Sequence, residues 1–286
     1  MNSIKALFKS KPVLIYFIIT FAISWIGFVL AVGSAGFANA DVWQTSSLAF
    51  AVTAMLAGPT IAGLLMTGIV DGRKGFRRLL SRLTKWRVSI KWYAVAILTA
   101  PILSVAVLLS LSLTCPLFTA GNKVAVLIPG IMAGLSTVFE EIGWTGFAVP
   151  KLRKRYSILK TGVIVGVLWG VWHLLQQLYI SGTYTGEVPF AMYLSIALFN
   201  TIAGLTAYRI LLVWINDRTG SLLLTTLMHA SLTASNVFIF RPDAIGTPFL
   251  VFGLAFTGAQ WVVVACVAIT NRGQLSRQPL GRLQNS

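Results

Sequence analysis

The sequence predicts an all-α membrane protein, a single polytopic bundle of about eight transmembrane helices. Three observations lead to this fold class. Of 286 residues, 56% are hydrophobic and only 10% are charged, whereas a soluble domain carries roughly 25% charged residues. The apolar residues fall into runs long enough to cross a bilayer. The loops between these runs are alternately rich and poor in basic residues, so nearly all basic residues fall on one side of the membrane.

Eight apolar runs match the roughly 20 residues that a helix needs to span the hydrocarbon core. They lie at 12–34, 47–70, 92–114, 124–148, 160–181, 190–215, 221–240 and 247–270. The fourth run is the least uniform, since it contains Glu140 and Glu141. No long polar segment remains for a second domain, so residues 1–286 are predicted to form one membrane domain.

The first run needs one further test, because Ala38-Asn39-Ala40 follows it and resembles a signal-peptide cleavage site. The run is long for a signal peptide, which favours an uncleaved first helix. Cleavage would leave seven helices and the same orientation of the loops.

Positive charge predicts the orientation of the bundle. Of the 23 Lys and Arg residues, 21 lie in the two tails or in the loops after the second, fourth and sixth spans. This count includes Arg209, which lies just inside the sixth span; only Lys123 and Arg241 fall on the other side. Because Lys and Arg collect in cytoplasmic loops, both termini are predicted to be cytoplasmic. The expected location is the cell membrane.

The segment 72–91 is basic and amphipathic. Phe76, Leu79, Leu80 and Leu83 follow helical spacing among its Lys and Arg residues. This pattern predicts a helix that lies on the cytoplasmic membrane surface, with anionic lipid headgroups as partners. The net charge of +16 does not indicate a nucleic-acid partner, because the sequence shows no folded basic domain that would bind one.

Four ionisable side chains inside the spans indicate a functional site. Glu140 and Glu141 are the only carboxylates within a span, and the two histidines, His173 and His229, lie in the fifth and seventh spans. A charge in hydrocarbon costs at least ~2.5–3.5 kcal/mol, and such groups usually face the bundle interior. A hydrogen-bonded polar cluster that holds helices together is the alternative, but four such groups on three helices favour one enclosed site.

Three motifs that contain these residues occur in a characteristic order. They are Glu140–Pro150 (EEIGWTGFAVP), Trp169–His173 (WGVWH) and Thr219–Leu223 (TGSLL), which leads to His229-Ala230-Ser231. Together they resemble the signatures of the CPBP family, which comprises type II CAAX prenyl endopeptidases and the bacterial Abi and bacteriocin-immunity proteins. The resemblance covers residues 55–240 and implies an intramembrane peptidase.

The resemblance also implies roles for the site residues. Glu140 and His173 would activate a water molecule, with Glu140 as general base, and His229 would stabilise the oxyanion; Glu141 is counted with them as catalytic. Trp169, the aromatic residue four positions before His173, is a supporting residue. The implied substrate is a membrane-associated peptide, prenylated or not.

Two positions differ from the family pattern. Thr145 occupies the place of an arginine that usually follows the second glutamate by four residues, so Glu141 lacks its expected charge partner one helical turn away. Glu141 is then either protonated or bound by another donor. Thr233 occupies the place of an asparagine or aspartate; it can donate one hydrogen bond, and Asn236 lies two turns from His229 on the same face.

Three alternatives remain open from the sequence. The carboxylates and histidines could bind zinc, but without an HExxH or similar local ligand pair we favour chemistry that uses no metal or other cofactor. The same fold could serve as a non-catalytic immunity or partner-binding protein, which the two departures from the motif would suit. A proton-coupled transporter is the third alternative, although the sequence shows no internal repeat.

Overall fold

A computed structural model of the chain describes residues 2–33, 46–119, 123–179, 184–273 and 275–276. Within these ranges all regular structure is helical, as the apolar runs predicted. The segment Ala38-Asn39-Ala40, where the sequence left cleavage open, lies outside the described residues.

The helices follow the chain without any intervening strand in the described ranges. The first half contains α1 (Asn2–Ser10), α2 (Pro12–Val32), α3 (Ser46–Val70), α4 (Gly72–Leu83), α5 (Ile90–Ser112), α6 (Val124–Ser136), α7 (Val138–Gly143) and a π-helical segment (Trp144–Ala148). The second half contains α8 (Val149–Leu152), α9 (Ile158–Trp172), α10 (Leu174–Tyr179), α11 (Phe190–Thr219), α12 (Leu222–Leu232), a second π-helical segment (Thr233–Ile239) and α13 (Thr247–Thr270).

Most of these helices are long and apolar enough to cross a bilayer. Among the described residues, seven stretches meet this criterion: α2, α3, α5, Val124–Leu152, α11, Leu222–Ile239 and α13. The remaining predicted span, 160–181, is divided at His173 into α9, an apolar helix of 15 residues, and α10. The prediction of a polytopic helical membrane bundle is confirmed, and the chain is a multi-pass membrane protein.

The basic segment after α3 forms the helix α4, which is shorter than the predicted segment 72–91. Leu79 is buried on its inner face. Arg82 donates hydrogen bonds to the carbonyl oxygens of Thr145 (3.1 Å) and Gly146 (3.3 Å) and to Oδ1 of Asn216 (2.8 Å). Burial lowers the pKa of Arg82 to about 10, so this side chain is cationic at neutral pH and fixes α4 to the first π-helical segment.

A close helix packing joins α9 to α11. A Cβ atom at Gly162, Gly166 or Gly170 would lie 2.7, 2.6 or 2.7 Å from the Cα atom of Ile210, Thr206 or Ile202. No side chain fits at these distances, so the three glycines let the two backbones meet. This contact fixes α11 beside the end of α9, where Trp169 and His173 lie.

Candidate active site

The two glutamates lie on α7, a short helix that is packed tightly against α3. A Cβ atom at Gly63 of α3 would lie 2.8 Å from the Cα atom of Gly143. The hydroxyl of Thr60 donates to the carbonyl oxygen of Phe139 at 2.5 Å. Both glutamates are buried, with exposed fractions of 7% for Glu140 and 0% for Glu141.

Glu141 is surrounded by donors from three directions. Nη1 of Arg209, on α11, lies 2.8 Å from Oε1 and 3.0 Å from Oε2 of Glu141. Nδ1 of His229, on α12, lies 2.9 Å from Oε1. The hydroxyl of Thr145 donates to Oε2. A buried carboxylate is stable when a cation and hydrogen bonds replace its hydration, and Glu141 has both.

Glu140 has a sparser environment than its neighbour. The indole N–H of Trp169, on α9, donates to its Oε2 at 2.9 Å. Among the described residues no Lys or Arg forms an ion pair with Glu140. The remaining acceptor positions of this carboxylate are therefore available to a ligand such as water.

His173 ends α9 and is held by the backbone of Trp169. Its Nδ1 lies 2.9 Å from the carbonyl oxygen of Trp169. Because a carbonyl only accepts, Nδ1 carries a proton, and Nε2 of the neutral ring is then an acceptor. Trp169 thus contacts Glu140 through its indole and His173 through its carbonyl, and its ring meets that of His229 edge to face at 4.8 Å.

Three of the four predicted site residues contact Trp169, and the fourth, Glu141, contacts His229. The structure brings Glu140, Glu141, His173 and His229 together from three helices, as the sequence predicted. Trp169 occupies the centre rather than the edge of this cluster. Thr145 takes part through its bond to Glu141.

The proton positions of His229 follow from its partner. Glu141 accepts from Arg209 and Thr145 and is therefore an ionised carboxylate, so Nδ1 of His229 carries a proton toward it. Within the described part of the chain, Nε2 has no hydrogen-bond partner. Nε2 accepts in the neutral ring and donates only when the ring is protonated on both nitrogens.

Thr233 and Asn236, the two supporting residues predicted after His229, lie in the second π-helical segment. The amide nitrogen Nδ2 of Asn236 is buried and has no hydrogen-bond partner in the described structure. Thr233 is half-buried. A buried amide without a partner is a donor that a bound ligand can satisfy.

Sequence reasoning missed Arg209. It counted this residue with the cytoplasmic charge, but the structure places it in the interior, 0% exposed and well before α11 ends at Thr219. The sequence left two alternatives for Glu141, protonation or another donor, and the structure has the second: the cation comes from another helix instead of position 145. The available signal was an arginine inside an apolar span, which usually marks a functional or paired group.

The arrangement of donors also bears on the zinc alternative. In the part of the chain that the structure describes, no three His, Cys, Asp or Glu side chains form a cluster that could hold a metal ion. Two positions around Glu141 that a metal would need are taken by Arg209 and Thr145. Chemistry without a metal stays a prediction, to be tested with a chelator.

Comparison with known proteins finds similarity to CAAX prenyl proteases in the region of this site. Residues 122–235 match the family model described as type II CAAX prenyl endopeptidase Rce1-like. A stretch of 54 residues is 35% identical to the protein named CAAX prenyl protease 2 of Methanococcus maripaludis; it makes up 19% of this chain and 20% of that relative. The match thus spans about a fifth of the relative's length. The segment matched by the family model contains both glutamates, both histidines and Arg209, so these residues lie in the part of the chain that is similar to type II CAAX prenyl endopeptidases.

Proposed function

We propose that the protein is an intramembrane endopeptidase that hydrolyses a peptide bond with Glu140 as general base. One observation carries this proposal: among the described residues Glu140 has one hydrogen-bond donor, Trp169, which also holds His173 with its Nε2 free. A carboxylate with open acceptor positions beside a free imidazole nitrogen can bind and activate one water molecule.

The proposed reaction is a general-base hydrolysis. Glu140 takes a proton from the water, whose oxygen forms a bond to the carbonyl carbon of the scissile amide. The π electrons of the carbonyl move to its oxygen and create an oxyanion. When this intermediate collapses, the bond from carbon to nitrogen breaks and the leaving amine takes the proton from Glu140. His173 orients the water through Nε2.

His229 stabilises the oxyanion in this proposal. Its Nδ1 is occupied by Glu141, so it donates from Nε2 in the doubly protonated form. Preorganised donors of this kind contribute about 3 kcal/mol or more to transition-state stabilisation.

The proposed substrate is a membrane-associated peptide with a prenylated cysteine. This proposal is supported by the description of the family model and by the name of the Methanococcus relative. A site enclosed among membrane helices suits a substrate that is already anchored in the bilayer. The cell membrane is the proposed location, and α4, with Arg73, Lys74 and Arg77 exposed, is proposed to bind anionic lipid headgroups.

The test is cleavage by the purified full-length protein in detergent or proteoliposomes. A farnesylated peptide library is incubated with wild type and with Glu140→Gln, and products are identified by mass spectrometry. We expect wild type to cleave and Glu140→Gln to lose at least ~10²-fold in kcat, the usual contribution of a general base. The control is Glu187→Gln, which removes an exposed carboxylate.

Two outcomes would contradict the proposal. Cleavage by Glu140→Gln at the wild-type rate would show that another group activates water. Absence of cleavage by wild type, together with protection of cells by Glu140→Gln equal to wild type, would favour the non-catalytic immunity function. A parallel reaction with a chelator tests zinc: unchanged cleavage supports hydrolysis without a metal.

A further inference from the structure

One edge of the Arg209 guanidinium is unused. Nη1 binds both carboxylate oxygens of Glu141, whereas Nε and Nη2 are buried and have no hydrogen-bond partner in the described structure. These two nitrogens form the side edge of the guanidinium, where two N–H bonds point in parallel. That edge matches a group with one or two negatively charged oxygens.

The plane of the Arg209 guanidinium is covered by an aromatic ring, which does not satisfy this edge. The Cζ atom lies 4.1 Å from the centre of the Trp169 ring, so the guanidinium packs over the tryptophan. An aromatic ring attracts the cation but satisfies no N–H bond in the guanidinium plane. The whole side chain is 0% exposed, so bulk solvent does not satisfy the edge in this conformation.

An unsatisfied donor edge on a buried cation is costly, and such groups in proteins are commonly completed by a ligand. The position of the edge indicates which ligand. Trp169 contacts Arg209, Glu140, His173 and His229, so Arg209 lies against the same residue that organises the proposed water-activating pair.

We propose that Arg209 is a catalytic residue whose Nε and Nη2 bind the oxyanion formed during peptide hydrolysis. This inference rests on the proposed function above. The electron pair that leaves the carbonyl double bond resides on the former carbonyl oxygen, and the two N–H groups of Arg209 donate hydrogen bonds to that oxygen until collapse re-forms the double bond. No proton is transferred to or from Arg209.

Arg209 provides something that His229 does not. His229 donates from Nε2 only when both ring nitrogens are protonated, whereas a guanidinium is always cationic in proteins. The same cation keeps Glu141 ionised through Nη1. Arg209 therefore binds Glu141, which orients His229, through one nitrogen and the oxyanion through the other two.

The test compares Arg209→Lys with wild type. Lysine keeps a cation for Glu141 but has no side edge with two parallel N–H bonds. The probe is a farnesylated peptide in which a phosphinate replaces the amide that wild type cleaves, because a phosphinate imitates the tetrahedral intermediate. The control is Arg218→Lys, which changes an arginine at the end of the same helix that donates to Asn271 at 2.6 Å.

We expect Arg209→Lys to lower kcat by about 10²–10³-fold, as for the loss of an oxyanion donor. The affinity for the phosphinate peptide should fall by a similar factor, while KM changes by less than about threefold, since the substrate carbonyl carries little charge before reaction. The control should match wild type in all three quantities. If Arg209→Lys retains the wild-type kcat and phosphinate affinity, Arg209 acts only through Glu141 and the proposal is wrong.

A second measurement needs no variant and so does not depend on its folding. In the structure of the wild-type protein with the phosphinate peptide bound, a phosphinate oxygen should lie roughly 2.9 Å from Nε or Nη2 of Arg209. A phosphinate held by His229 and Asn236 without Arg209 would overturn the proposal. Failure of the general function is distinct, because then Glu140→Gln would cleave like wild type or wild type would not cleave.

Discussion

Glu140 and Glu141 are adjacent in sequence, equally buried to within a few per cent, and yet have opposite environments. Glu141 binds a cation, an imidazole and a hydroxyl. Glu140 binds one indole N–H. Successive residues on a helix point about 100° apart, so one carboxylate faces α11 and α12 while the other faces α9.

The comparison separates a structural carboxylate from a reactive one. The donors around Glu141 fix its charge and geometry, and so it joins three helices and orients His229. The open acceptor positions of Glu140 leave it able to bind water and take a proton. Two chemically identical side chains thus acquire different functions from the helices that they face, and the following substitutions test that division.

The largest expected effect on stability comes from Glu141→Gln. It removes the negative charge next to Arg209, which is 0% exposed, and breaking a buried pair in this way costs about 3–5 kcal/mol. Glu140→Gln should cost less than about 1 kcal/mol, because the amide oxygen still accepts from Trp169. Unfolding by SDS titration in micelles measures both. Equal losses for the two variants would show that the environments do not differ in energy.

The next effect concerns the single bond of Glu140. Trp169→Phe removes the indole N–H and leaves the buried carboxylate without its donor, which should cost about 1.5–3 kcal/mol. Trp172→Phe is the matched control, since Trp172 is equally buried and its indole nitrogen has no partner in the described structure. SDS titration of both variants gives the difference, and a difference near zero would mean that this hydrogen bond contributes nothing.

Gly166→Ala should disturb the contact between α9 and α11, which places Arg209 beside Trp169. The new Cβ atom would lie 2.6 Å from the Cα atom of Thr206 and 3.1 Å from Cβ of Arg209, so α9 and α11 must separate. We expect a loss of about 1–3 kcal/mol, typical of overpacking. Gly258→Ala on α13 is the control, because no atom lies within 4 Å of its added Cβ. Identical thermal melting of the two variants would contradict the close helix contact.

The smallest effect is expected at Thr145. Thr145→Val removes a hydroxyl that donates to Glu141, but Arg209 and His229 remain bound, so the loss should be about 1 kcal/mol. Thr99→Val is a suitable control, since the hydroxyl of Thr99 bonds only to the carbonyl of Val95 in its own helix. A loss at Thr145 above that of Trp169→Phe would reverse the order proposed here.

Much of the architecture follows from the sequence, because hydropathy and the length of a span are local properties. The apolar runs predicted the helices, and the rarity of ionisable groups in lipid singled out Glu140, Glu141, His173 and His229. The role of Arg209 was not predicted, because its partner Glu141 is 68 residues away in the sequence. Assigning it requires knowing that α11 packs on α9, and that depends on how three glycines fit against another helix.

The positions of Thr233 and Asn236 relative to His229 could not be predicted for a different reason. Counting Thr233 as one turn and Asn236 as two turns from His229 assumes about 3.6 residues per turn. From Thr233 to Ile239 the helix is π-helical, with bonds from residue i to i+5, so the faces of this segment are rotated from those that an α-helix would present. The spacing named Asn236 as a candidate. That its amide nitrogen is buried and has no partner among the described residues is seen only in the structure.

The hydrogen bonds of Arg82 have a consequence for the modularity of the chain. Its guanidinium binds the carbonyl oxygens of Thr145 and Gly146, which lie just after Glu141 within the family-matched segment 122–235. Arg82 itself lies outside that segment. A fragment cut to the matched boundaries would therefore carry both glutamates, both histidines and Arg209 yet lack this anchor, so the matched segment is not a unit that can be excised.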